Sequence, residues 1–156
     1  MPVITVREYN PSNGALLGNI STLNYGRIVA GTHSRVKVLD VAFSEVSDVG
    51  NIKLGLISNA GITVNSNPED LAADGSAANG HFGIESSSNF DSTKAASALT
   101  RHFAGVNGSV TAADANNVSV ANRTETISDY VYLDVELSSA FVSAGNGAYK
   151  IFFDYS

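Results

Sequence analysis

The sequence predicts a mainly β protein: an antiparallel β-sandwich with long central loops and at most one or two short helices. The first observation behind this is period-two alternation in Tyr130–Leu137. There Val131, Leu133, Val135 and Leu137 share one side, and Tyr130, Tyr132, Asp134 and Glu136 share the other. The second is the segment Ala148–Tyr155, which places Tyr149, Ile151, Phe153 and Tyr155 on one face. It follows Ala144-Gly145-Asn146-Gly147, whose Asn-Gly pair is a hairpin turn signal, so Tyr130–Ser156 reads as a hairpin whose last strand joins the core. The third is that strand-like segments cluster at both ends while helical signals are few, which favours a sandwich over alternating strands and helices.

Taken in chain order, Val3–Tyr9 alternates and stops at the turn cluster Asn10-Pro11-Ser12-Asn13-Gly14, which marks a first strand. Leu16–Ile20 and Leu23–Val29 read as short strands interrupted near Gly18 and Gly26. Arg35–Phe43 is a strong strand, with Val36, Val38 and Ala42 on one side and Leu39, Val41 and Phe43 on the other. Apolar residues on both faces put it at the centre of its sheet, with Asp40 the exception on the first face. Ser44–Gly50 is then a hairpin or a sandwich-edge turn leading into Asn51–Ser58, and Ile62–Asn65 adds a further short strand.

From about residue 65 to 126 the chain is rich in Ala, Ser, Asn, Gly and Asp. Asn67-Pro68-Glu69-Asp70 carries helix-start chemistry, with Asn as N-cap, Pro at the first helical position and acids in the first turn. Asp91–Ala98 is a second short helix candidate, and His81–Glu85, Leu99–Val106 and Asn116–Val120 are extended candidates. The rest of this region reads as loops, and long loops on a β scaffold are usually functional. Without a repeat or a linker-like break in composition, residues 1–156 form one domain with an elaborated centre.

Composition narrows function. Charged residues make up 15% of the chain against roughly 25% in a typical soluble domain, and a surface poor in Lys and Glu suits packing against neighbours. The formal net charge is −6 and the nine basic residues are scattered, which gives nucleic acid and anionic membranes no electrostatic footprint. The absence of cysteine excludes disulfides and thiolate-ligated metals. The N-terminus lacks the basic and apolar regions of a secretory signal, and no apolar run approaches the roughly 18 residues of a helical membrane span. The expectation is a soluble chain made in the cytoplasm.

Motifs for chemistry are sparse. His33, His81 and His102 are far apart in sequence and form no local metal-binding pair, so no metal or cofactor is expected. The chain has no nucleophile elbow and no glycine-rich phosphate loop, and no spacing singles out two of its carboxylates for acid–base work. Asp70, Asp74 and Asn79, or Asp114, Asn116 and Asn117, could offer oxygen ligands to calcium, but neither set follows the twelve-residue loop pattern. The candidate binding face is Tyr130, Tyr132, Asp134 and Glu136, since tyrosines beside acids suit glycan or protein contacts. The competing reading is that these residues form cross-strand pairs on a second buried face.

Leu23-Asn-Tyr-Gly-Arg-Ile-Val-Ala-Gly-Thr32, followed by Val36-Lys-Val38, resembles the opening strands of immunoglobulin-like sandwich modules. Gly147-Ala-Tyr-Lys-Ile-Phe-Phe153 looks like their last strand; a jelly-roll-like sandwich is the other form considered. In length and style the whole chain also resembles the small, cysteine-free structural proteins of tailed bacteriophage particles, which decorate capsids or build necks, tails and baseplates. That resemblance implies a non-enzymatic virion subunit, made in the host cytoplasm and assembled in many copies with itself and other virion proteins through strand edges and loops. A carbohydrate- or receptor-binding module of the same fold is the alternative, with a glycan as partner. A hydrolase assembled from distant residues is the third.

Overall fold

A computed structural model describes residues 1–58, 62–66, 101–102, 105–106, 118–120, 122–140 and 147–156. Among them every regular element is a strand. These are β1 (Val3–Tyr9), β2 (Leu16–Ile20), β3 (Lys37–Ser44), β4 (Val49–Ser58), β5 (Ile62–Ser66), β6 (Arg101–His102), β7 (Gly105–Val106), β8 (Val118–Val120), β9 (Asn122–Thr124), β10 (Ile127–Ser128), β11 (Val131–Leu137) and β12 (Gly147–Tyr155). The first sheet runs β2-β1-β3-β11-β5-β6, with β10 also on β3 and β9 on β10; the second runs β12-β4-β7, with β8 also on β4. All pairings are antiparallel except β4 with β7. The mainly β expectation is therefore met. The helix candidates at Asn67–Ala73 and Asp91–Ala98, and the strand candidate His81–Glu85, lie outside the described residues.

The strand pattern places the core. Leu39, Val41 and Phe43 of β3 and Val131, Leu133 and Val135 of β11 share a face, as the register Val131↔Leu39 and Leu133↔Lys37 requires. They join Val49, Ile52 and Leu54 of β4 in one buried cluster, so both sheets contribute to the same core. Phe43 of the first sheet and Phe153 of the second lie 4.7 Å apart at their ring centres. Each such side chain contributes about 1.5–3 kcal/mol on burial. β3 is central, as its two apolar faces imply: its opposite face places Val38 with Tyr9 and Tyr132 in a second buried cluster.

The chain crosses from β3 to β4 through a corner rather than a hairpin. Glu45 takes a left-handed backbone (φ 63°) there. The turn between β9 and β10 braces this corner from both sheets: Phe43 N donates to Thr126 O, and Val49 N to Glu125 O, each at 2.9 Å. Both chain ends reach the same place. The Met1 amino group lies 4.0 Å from Glu45, while Ser47 N donates to Ser156 O and Ser156 N donates to Asp48 O.

Two expectations are corrected. Tyr130–Ser156 is not a hairpin: β11 sits between β3 and β5 in the first sheet, while β12 pairs with β4 in the second. Alternation reports which side of a strand is apolar, not which strand lies beside it, and the Asn-Gly turn itself falls outside the described residues. Leu23–Val29 is not a strand either. The Asn24 side chain accepts a hydrogen bond from Gly26 N at 2.8 Å, and Gly26 has φ 70°, so an Asx-turn and a left-handed glycine bend the backbone out of any ladder.

Candidate functional site

The four residues of the candidate binding face do not form an open surface. Tyr132 and Asp134 are 0% and 1% exposed, and Tyr130 and Glu136 are half-buried. β11 presents this face to side chains from β1, β3 and β9. Tyr130 meets Tyr9 edge to face at 5.0 Å, and the Arg123 guanidinium lies over the Tyr130 ring at 4.1 Å. A glycan approaching this strand would meet only the outer parts of Tyr130 and Glu136.

Beneath this face lies a buried polar cluster centred on Asp40, which is 0% exposed. Register brings its partners together: Arg7↔Asp40 and Tyr9↔Val38 are cross-strand pairs of β1 and β3. Arg7 Nε donates to Asp40 Oδ1 at 2.8 Å and Arg7 Nη2 to Oδ2 at 2.6 Å, a two-pronged guanidinium–carboxylate contact. Asp40 Oδ2 also accepts from Tyr9 Oη at 2.9 Å and from Arg123 Nη2 at 2.7 Å. The contact with Asp40 raises the Arg7 pKa further above its ordinary value. Burial, then the hydrogen bond to Asp40, raises that of Tyr9.

Asp129 sits at the junction of β10 and β11, is 0% exposed, and neither carboxyl oxygen is hydrogen-bonded among the described residues. Arg123 Nη1 is likewise buried without a partner among the described residues. Burial pushes the Asp129 carboxyl up to about 7, opposed by the positive charge of Arg123. The next residue back, Ser128, fixes the junction: its Oγ accepts from Val41 N and donates to Asp129 O, both at 2.9 Å.

His33 belongs to a separate group at the far end of β11. Its Nδ1 lies 3.2 Å from both Asp134 oxygens and its Nε2 lies 3.6 Å from Glu136 Oε2. Backbone bonds from Ser34 N to Val135 O and from Leu137 N to Thr32 O hold this segment along β11. Among the described residues no three His, Cys, Asp or Glu side chains converge as metal ligands. His102 is placed in β6, and His81 lies outside the described residues.

Sequence reasoning noticed Asp40 only as a polar interruption. Arg7 and Tyr9, two apart and hence on one face of β1, were a legible signal that this interruption had partners. Arg123 and Asp129 come from elements more than eighty residues later, and no local pattern links them to Asp40.

The remaining candidates are strand edges. β2 is outermost in the first sheet and β12 in the second among the described residues. Exposed large apolar side chains concentrate near the first edge: Val3 and Ile4 on β1, Leu16 and Leu17 on β2. No known protein family, curated protein or solved structure matches this chain.

Proposed function

We propose that this chain is a non-enzymatic structural subunit of a virus particle of the tailed-phage kind. It would be made in the host cytoplasm and assembled in many copies with itself and other virion proteins through its strand edges. The observation that carries this reading is the outer edge of the first sheet, where Leu16 and Leu17 stand 56% and 59% exposed on a strand with one neighbour among the described residues. A soluble protein normally shields such an edge, because its unpaired backbone groups and apolar side chains invite another strand. The polar groups best suited to chemistry support the same reading from the other direction. Arg7, Tyr9, Asp40 and Arg123 are engaged with one another inside the fold, where they tie β9 to the β1–β3 pair. We read the two sheets with their common core as a sandwich.

Peptide mass spectrometry on particles purified by density gradient from the source culture tests the proposal. The expected result is this chain co-sedimenting with the particles in many copies per genome. Its presence only in the soluble fraction would overturn the proposal.

A further inference from the structure

We propose that β2 is the edge at which two copies of this chain pair, antiparallel about a twofold axis; this rests on the assembly reading above and names its partner and its contact. An isologous contact brings each residue near the axis against its own copy, so any charge there meets a like charge. The chain as a whole carries −6, yet Asn10 through Gly26, which includes all of β2, contains no charged side chain. Two copies can meet on this edge without bringing like charges together, and a partner recruited by charge would find nothing to read.

The other outer strand shows the contrast. β12 carries exposed Lys150 and Asp154, and its ladder with β4 is broken between Phe152 and Asp154. There Asn51 takes φ 51° and its Nδ2 donates to Asp154 Oδ2 at 2.7 Å. Charges and a bulge are the usual means by which an edge strand is protected from pairing. β2 has a bulge as well: Tyr9 pairs with Leu16 and Glu8 with Gly18, leaving Leu17 as the extra residue, and Gly18 has φ 145°. This bulge limits regular pairing to Gly18–Ile20, so the contact is short and draws on Leu16 and Leu17 for its apolar area. It is a weak contact of the kind that gains strength when many copies are held together.

Sedimentation equilibrium of the full chain tests the proposal, with Asn19→Lys and Leu17→Lys as edge variants and Lys150→Glu as the β12 control. All three positions are exposed, and unchanged circular dichroism and urea unfolding verify the fold. Wild type is expected to dimerise with concentration, each edge lysine to weaken the dimer at least tenfold, and Lys150→Glu to leave it unchanged. A wild type that stays monomeric up to about 1 mM, where a contact of about 4 kcal/mol would be half-formed, overturns the proposal. So does a dimer indifferent to both β2 lysines, or one abolished by Lys150→Glu. An indifferent dimer removes β2 but leaves assembly through another surface intact. Absence from purified particles removes the wider reading whatever the dimer does.

Discussion

Replacing Asp129 with Asn makes a buried carboxyl permanently neutral at nearly constant shape. In the native state this group keeps its proton up to about pH 7, whereas the unfolded chain releases it near 3.8. Between those values the native state binds more protons than the unfolded one, so stability falls as pH rises, and the loss is complete once pH passes the native value. At about 1.4 kcal/mol per pH unit the full interval is worth about 4 kcal/mol. Relaxation of the protein around the charged form reduces that, and about 2–3 kcal/mol is expected. The remaining carboxylates titrate in both proteins and cancel in the comparison. Urea unfolding of wild type and Asp129→Asn at half-unit steps from pH 4.5 to pH 8 measures the difference. The wild-type curve should descend relative to the variant by that amount, most steeply below pH 7. Parallel curves across the range would refute the claim that this carboxyl is held neutral by burial.

Further outcomes follow from the same geometry. Asp40→Ala leaves Arg7 and Arg123 without their shared anion and should cost about 3–5 kcal/mol in urea unfolding, as removal of one partner from a buried pair does. Leu133→Ala, at a position with no exposure, should cost about 2–5 kcal/mol in the same assay. Gly26→Ala should cost about 1 kcal/mol through backbone strain alone, because an added Cβ there meets nothing within 4 Å while φ is 70°. His33→Ala should speed amide exchange at Ser34 and Leu137 with little change in global unfolding, since it loosens only the Gly31–Ser34 segment on β11.

The parts of the fold that were legible are those written in local pattern. The Asn10–Gly14 turn bounds β1 and β2 because Ser12 N and Ala15 N donate to the Asn10 and Asn13 side chains, which is what those residue types do between strands. β3 announced its central place by two apolar faces. The partner of β11 was not legible, since a strand's alternation is the same whichever neighbour it has. β9 and β10 were hidden for a related reason: each is too short for a period to show, and their place comes from Ser128 and Thr126 bonding to β3. Of the candidate face, the pattern located Tyr132 and Asp134 on one side of β11 but left open whether that side is a binding surface or a second buried face; both are buried. Tyr132 packs with Tyr9 and Val38 and Asp134 meets His33, all more than ninety residues away in sequence, where no local pattern reaches.

Ser156 bonds to the short Glu45–Asp48 corner and the Met1 amino group lies 4.0 Å from Glu45 in the same corner, so a short peptide could join the two into a closed ring. Cutting that ring at the Asn10–Gly14 turn would make β2 the new leading strand without breaking any ladder of the first sheet. A label carried on Met1 or Ser156 would emerge at that corner, about 20 Å along β1 from Leu16 and Leu17. It would leave the β2 rim unobstructed.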